Sequence, residues 1–261
     1  MKIFVLSKDT LIVYSVVIML LLGLITFGVT NPSIITSTVS GKEIPIYSVE
    51  TPDQKIALTF DAAWGDSDTQ QLIDIFNKYN VKVSIFVVGG WADRYPESVK
   101  AFQAAGHEIL NHSDSHLHFN QLSAEEITAD IQNCEQKIQS LTGDSKKLFR
   151  APYGEYNETV VKAARDAGFE VIQWDVDSLD WKDLTASEIT ERVLGSVQNG
   201  SICLFHNEAK YTPEALDMLI PKLQQAGYSI VPVSQLIYKH SYSIDHAGRQ
   251  SVDQEAGANV Y

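Results

Sequence analysis

The chain has 261 residues, enough for one domain of about 200 residues with flanking segments. Its composition is globular, 44% hydrophobic and 20% charged, with a formal net charge of −13. That charge excludes a nucleic-acid or anionic-lipid surface, which would repel it, and leaves neutral or zwitterionic polymers open as partners.

Residues 1–10 read as a short cytoplasmic stub. Residues 11–30 (LIVYSVVIMLLLGLITFGVT) carry no charge, and about 20 residues at ~1.5 Å rise cover a hydrocarbon core of ~30 Å. A secretory signal has a shorter apolar region and a small-residue cleavage site. Thr26-Phe27-Gly28 is the best such site here and a poor one, so the expectation is an uncleaved anchor, with secretion as the outcome if it is cleaved. Lys2 and Lys8 precede the run, and the next basic residue is Lys42. That asymmetry keeps the N-terminus inside and predicts a single-pass cell-membrane protein with its domain extracytoplasmic.

Residues 31–50 mix Ser, Thr, Pro and Gly and read as a linker. The domain is expected over 51–240. Lys55–Phe60 (KIALTF) predicts a strand and Thr69–Tyr79 a helix. Val83–Val88 (VSIFVV) predicts a strand, Glu97–Ala105 a helix ended by Gly106, and His107–Leu110 a short strand. Ser123–Leu141 opens on Ser-Ala-Glu-Glu, a capping-box pattern, with a helical apolar face at Ile127, Ile131 and Ile138. Next come a strand at Leu148–Phe149, a helix at Asn157–Ala167, a strand at Glu170–Trp174 and a helix at Thr185–Val197. A strand at Ser201–Phe205, a helix at Pro213–Ala226 and a strand at Tyr228–Val233 close the series. Residues 241–261 are polar and are expected to form a loose tail. No internal repeat is present.

Alternating apolar strands and helices predict an α/β fold with a parallel sheet covered by helices, in about seven units. An open doubly wound sheet and a barrel both accommodate that count. Polar residues stand just after several different strands, a pattern that converges more readily at the C-terminal rim of a barrel.

His112-Ser-Asp-Ser-His116 is an i, i+4 pair. On a helical turn both imidazoles would point the same way, as a zinc-type site requires; exposed histidines on one helix face are the plainer alternative. Asp61 ends a strand, where it would serve as a general base or as a cap. Arg150 is suited to a planar two-point grip on a carboxylate, for which Asp61 is a natural partner. His206 alone would be a satisfied core histidine, but beside Asp180 it becomes a candidate proton donor. Cys134 and Cys203 read as buried small hydrophobes rather than a disulfide pair.

Together, in this order, these segments resemble the NodB-homology domain of polysaccharide deacetylases, carbohydrate esterase family 4. The motifs are Thr59-Phe-Asp61-Ala-Ala, His112-Ser-Asp-Ser-His116, Arg150-Ala-Pro-Tyr-Gly154, Asp177-Ser-Leu-Asp180-Trp181 and Leu204-Phe-His206. Thr59-Phe-Asp-Ala-Ala-Trp-Gly65, Val176-Asp-Ser-Leu-Asp-Trp-Lys182 and Phe205-His-Asn207 look more narrowly like the PdaB-like sporulation branch. The resemblance implies a distorted (β/α) barrel and a divalent metal, most often zinc with cobalt or nickel as alternatives, on His112 and His116. Asp61 would take a proton from the attacking water, and Arg150 would hold Asp61. The backbone N–H of Tyr153 would stabilise the oxyanion, and His206, tuned by Asp180, would protonate the leaving amine. Trp181 and Leu204 would wall the acetyl pocket. The implied substrate is an N-acetylated polysaccharide, peptidoglycan of the cell wall or spore cortex, and the products are acetate and a free amino sugar.

The match departs at one position. The family's first motif carries a second, metal-binding aspartate where this chain has Ala62. Asp66 is a possible substitute ligand, although a helix-cap role before Thr69 is preferred for it. Three functions follow: a deacetylase with a weakened two-histidine metal site, a catalytically silent glycan-binding relative, or a hydrolase of O-acetyl esters or small amides.

Overall fold

The structure is a computed structural model, and it describes residues 43–253. The strands are β1 (Ser48–Val49), β2 (Lys55–Ala62), β3 (Ser84–Val87), β4 (Glu108–Asn111), β5 (Leu148–Phe149), β6 (Glu170–Val171), β7 (Val176–Asp177), β8 (Ile202–His206), β9 (Ser229–Ile230), β10 (Tyr242–Ile244) and β11 (Arg249–Val252). The α-helices are α1 (Thr69–Lys78), α2 (Gly89–Arg94), α3 (Pro96–Ala104), α4 (Ala124–Thr142), α5 (Glu158–Asp166), α6 (Ala186–Ser196), α7 (Thr212–Gln225) and α8 (Val233–Leu236).

The main sheet runs β6-β5-β4-β3-β2-β8-β7, with β9 on β2, and every pairing in it is parallel. This is the distorted (β/α) barrel expected from the sequence. No ladder joins the end strands β6 and β7. The segment before β2 joins β6 to the start of β8: Ile46 exchanges backbone hydrogen bonds with Val171 and Gln173, and the Val49 N–H donates to the Gly200 carbonyl.

Strand alternation sorts the core into layers. On β2, Ile56, Leu58, Phe60 and Ala62 pack outward with helix residues such as Leu72, Phe76, Ile189 and Leu219. Ala57 faces the other way, with Phe86, Leu110, Leu148 and Ile202, and Ile46, Val49, Val233 and Leu236 join them. The inside of the sheet is thus filled with apolar side chains at its lower end, and polar groups are left to the upper, C-terminal end. A third cluster, built on Phe119, Ile127, Phe149, Val160 and Val171, seats α4 and α5.

Three of the expected helices, α4, α5 and α6, start on side-chain caps. Ser123 and Glu126 form the predicted capping box, and Thr185 with Glu188 forms a second one. Asn157 caps α5 through the Val160 N–H. Cys134 and Cys203 are buried and free.

Four expectations are corrected. No helix among the described residues is long and apolar enough to cross a membrane, so the single-pass membrane placement is not upheld; residues 11–30, on which it rested, lie outside the described residues. The stretch after α8 is not loose as far as residue 253: β10 and β11 pair antiparallel, and β11 pairs parallel with β1. Its polarity concealed it, because the anchor is an amide. Gln250 is fully buried, accepting from the Tyr238 N–H and donating to the Tyr238 carbonyl. The end of the expected linker is likewise built in, since Ile46 and Val49 are buried. Finally, Asp177-Ser-Leu-Asp180-Trp181 follows a separate short strand, β7, rather than the strand at 170–171.

Candidate active site

At the upper end of the sheet a cavity of about 400 Å³ is lined by Asp61, His112, His116, Tyr153, Trp181, Leu204 and His206, together with Trp64, Trp174 and Asp177. Asp61 and His206 are register partners on β2 and β8, so in a parallel ladder their side chains leave the same face. Arg150 follows β5 and is fully buried. Its Nη1 donates to Asp61 Oδ1 at 2.7 Å. The expected two-point grip on Asp61 is absent, because Nη2 donates instead to Thr59 Oγ1 at 3.0 Å and to the Gln173 carbonyl at 3.1 Å. The guanidinium lies 4.1 Å over the Phe86 ring and 5.4 Å from that of Trp174, a setting that suits the planar, weakly hydrated group of arginine. Burial pushes the Asp61 pKa up, but the Arg150 charge and hydrogen bond, with the neighbouring His112 and His206 imidazoles, outweigh it and leave the carboxyl below its ordinary value.

The histidine pair does not sit on a helical turn. Residues 112–118 form an irregular loop after β4, with Ser113 and His116 in the left-handed region at φ 70° and 53°. Side chains hold that shape: Asn111 Oδ1 accepts from the Ser113 N–H, and Ser113 Oγ accepts from the His116 N–H. The two rings nonetheless face each other, with centroids 5.1 Å apart. His112 Nδ1 lies 2.9 Å from the Arg150 carbonyl, an acceptor only, so Nδ1 carries the proton and Nε2 is bare in the neutral ring. Burial, above the opposing pull of Asp61, lowers the His112 pKa and keeps the ring neutral. Burial and the neighbouring His112 bring that of His116 to about 4.

Nε2 of His112 is 3.4 Å from Asp61 Oδ2. Two bare acceptors facing each other at that distance call for a cation or a proton between them. Imidazoles suit a borderline divalent cation such as zinc. Yet no group of three or more His, Cys, Asp or Glu side chains among the described residues is arranged to hold one, and Ala62 is wholly buried in the outer apolar layer. The residues therefore fit a cation at two imidazoles, His112 and His116, with Asp61 beside His112, short of the three protein ligands usual at a catalytic zinc. Asp66 supplies no third: its carboxylate accepts from Ser98 Oγ. Nor does its side chain cap α1. Asp68 holds the cap position without a side-chain cap bond, and Asp66 offers Thr69 only its backbone carbonyl.

His206 ends β8. Its Nδ1 is 2.8 Å from Asp180 Oδ1, and its backbone N–H donates to Asp180 Oδ2. Thr212 Oγ1, fully buried at the start of α7, also donates to Oδ2 at 2.7 Å. Burial lowers the His206 pKa, but the hydrogen bond and charge of Asp180, with the charges of Asp61 and Asp177, leave it raised. Tyr153 stands at φ 60°, its ring stacked on His118 at 4.3 Å and edge-on to His116 at 4.6 Å. Gly154 follows because a Cβ there would come 2.7 Å from the Trp174 ring.

The cavity thus gathers all nine residues singled out from the sequence except Arg150 and Asp180, which stand directly behind Asp61 and His206. Thr59, Gln173, Thr212 and Trp64 were not singled out. Thr59 and Trp64 sit within motif segments already noted, whereas Gln173 acts through its backbone carbonyl, which no side-chain pattern reveals.

The sequence profile described as polysaccharide deacetylase matches residues 48–172. A peptidoglycan-N-acetylglucosamine deacetylase of Bacillus cereus is 34% identical over 196 residues, 73% of this chain and 71% of that one. The peptidoglycan-N-acetylmuramic acid deacetylase PdaC of Bacillus subtilis is also 34% identical, over 74% of this chain but 41% of its own length. Among solved structures, a CE4 family pseudoenzyme from Bacillus anthracis superposes with a TM-score of 0.72 at 31% identity, covering 75% of this chain and 69% of that one. A mutant of that pseudoenzyme described as having restored enzymatic activity matches with the same TM-score at 32% identity, covering 75% of this chain and 72% of its own.

Proposed function

The chain belongs to the polysaccharide deacetylases of carbohydrate esterase family 4, and within that family we propose that it hydrolyses the acetamide of an N-acetylated peptidoglycan sugar, releasing acetate. The observation that carries this reading is the pair of polarised acid–base groups on one cavity. Asp61 is held ionised by Arg150, and His206 is held ready to protonate by Asp180.

In this reading Asp61 accepts a proton from the attacking water, and Arg150 fixes the carboxylate oxygen it touches. His206 donates a proton to the departing sugar nitrogen, and Asp180 stabilises the imidazolium. Leu204 and Trp181 enclose the acetyl methyl, and the backbone N–H of Tyr153 faces the developing oxyanion. His112 and His116 would hold a divalent cation; bound there it supplies Lewis acidity to the carbonyl and to the water. Action on the spore cortex is the finer part of the proposal, and it rests on the resemblance of the motifs around Asp61, Asp180 and His206.

The test is acetate release from N-acetylglucosamine oligomers and from peptidoglycan with zinc, cobalt or nickel supplied, against the Asp61→Asn variant. Release by the parent chain and none by the variant is expected. A folded, metal-supplied chain that releases nothing from N- or O-acetylated glycans would overturn the proposal. That result would favour a second reading, a glycan-binding relative without turnover. Two observations support this alternative: no group of three ligating side chains is arranged for a cation among the described residues, and the chain is similar to a pseudoenzyme of the same family.

A further inference from the structure

Trp64, Tyr153 and Trp181 are all more than half exposed and line the same cavity. Tyr153 and Trp181 belong to motifs already considered, but Trp64 has no role in the chemistry above. An indole exposed to 58% forgoes the burial that normally holds a tryptophan in place. Its backbone, however, is pinned from three directions. Asn207 Nδ2 donates to the carbonyls of Trp64 and Gly65 at 2.7 and 2.8 Å, and Trp91 Nε1 donates to the same two at 2.9 and 2.6 Å. Just beyond, Glu208 Oε1 accepts from Ser67 and Asp68. Gly65, at φ +22°, allows this close seating, since a Cβ there would lie 2.7 Å from the Glu208 side chain. The result is a rigid main chain that presents a free aromatic face.

The position of that face matters. Trp64 follows β2 and Trp181 follows β7, and these strands flank β8, which ends at His206. Trp64 lies edge-on to His116 with centroids 5.8 Å apart. One indole therefore stands on each side of the strand that carries the proposed proton donor.

We propose that Trp64 is a substrate-binding and specificity-determining residue: a preorganised platform on which the glycan ring next to the reacting sugar stacks. The inference rests on the glycan reading above and sharpens it, since it predicts a preference for oligomers over a single sugar. A pyranose offers an apolar C–H face to an aromatic ring and hydroxyls to the surrounding water. A neutral chain also suits a cavity whose Asp61 and Asp177 would repel anions. Because the loop is already ordered, stacking costs little conformational entropy.

The experiment is calorimetric titration of N-acetylglucosamine oligomers of one to five units into the chelator-treated full chain, Trp64→Ala and Trp64→Phe. Affinity in the parent should rise with oligomer length. Trp64→Ala should lower the ratio of longest-to-shortest affinity about 3- to 10-fold, the size of one aromatic stacking contact, and Trp64→Phe should restore most of it. An unchanged ratio in Trp64→Ala, with the parent still length-dependent, would overturn the platform and leave the glycan reading standing. If no oligomer of any length bound the parent, both would fall together. Circular dichroism of each variant separates loss of fold from loss of stacking.

Discussion

Asp61 and His206 face each other across one rung of the β2–β8 ladder, and their protonation preferences are displaced in opposite directions. The Asp61 pKa lies below its ordinary value and that of His206 above it. The pair that catalysis requires, ionised acid and protonated imidazole, is thus present over a wider pH window than isolated groups would allow. Activity should fall on the acid side only below the ordinary carboxylate range, and on the alkaline side only above the usual histidine value of about 6.5. Asp180→Asn removes the group that raises His206. Its alkaline limb should move to lower pH in a plot of log kcat/KM, and an unmoved limb would show that Asp180 does not tune the proton donor.

The Arg150–Asp61 contact sets stability as well as chemistry. Arg150 is fully buried, so removing its partner's charge differs from removing the arginine. Asp61→Asn leaves the buried guanidinium without its counter-charge but keeps an oxygen for Nη1 and the bonds to Thr59 and Gln173, so it should abolish acetate release and lose stability, though less than removal of the arginine. Arg150→Ala leaves a buried carboxylate unpaired and should cost about 3–5 kcal/mol in denaturant unfolding. Equal unfolding midpoints for the two variants would show that the ion pair does not carry the site's structure.

Much of this arrangement was legible because it is written in side chains next to strand ends. The apolar runs at 55–60 and 201–205 located β2 and β8, and the parallel ladder then put Asp61 beside His206. The geometry of the histidine pair was not legible. The i, i+4 spacing suggested a helical turn, whereas Asn111 and Ser113 impose a left-handed loop through side-chain hydrogen bonds. Equally hidden were β7 and β11, two strands too short and polar for a period to register, the latter anchored by the buried amide of Gln250. The apolar stretch at 11–30 gave a strong signal for membrane placement, yet no spanning helix is found among the described residues.

His107 and His116 predict how the fold responds to acid. Burial, with Lys82 nearby, lowers the His107 pKa to about 4, and burial beside His112 brings His116 to about 4, both from 6.5. Between these values the unfolded chain binds protons that the folded one refuses. The contribution of these two histidines to stability should therefore decline as pH falls from 6.5 towards 4 and be regained as pH rises, against the opposite contribution of Asp68, whose pKa burial raises to about 6. Urea midpoints across this range, with a chelator present, check the slope. His116→Asn should flatten it in part; a profile unchanged by that substitution would remove His116 from the account.

Ala62 decides how tightly the site can hold a cation. It is wholly buried among Phe60, Leu72 and their neighbours, so an aspartate there carries a desolvation penalty unless a cation offsets it. His112 and His116 supply two donors on the cavity, and a carboxylate turned from position 62 towards them would complete the number common to catalytic zinc sites. Ala62→Asp should therefore make folding metal-linked. Its Tm should fall below that of the parent under chelation and rise when zinc is added, whereas the parent's Tm should respond little. Zinc affinity should increase at least 10–100-fold, the range lost when even an outer supporting partner of a metal site is removed. Isothermal titration with zinc and thermal melts of both chains measure the two effects. If the variant's Tm fell and zinc failed to recover it, the new carboxylate would be confined to the outer apolar layer, and the two imidazoles could not be completed from position 62.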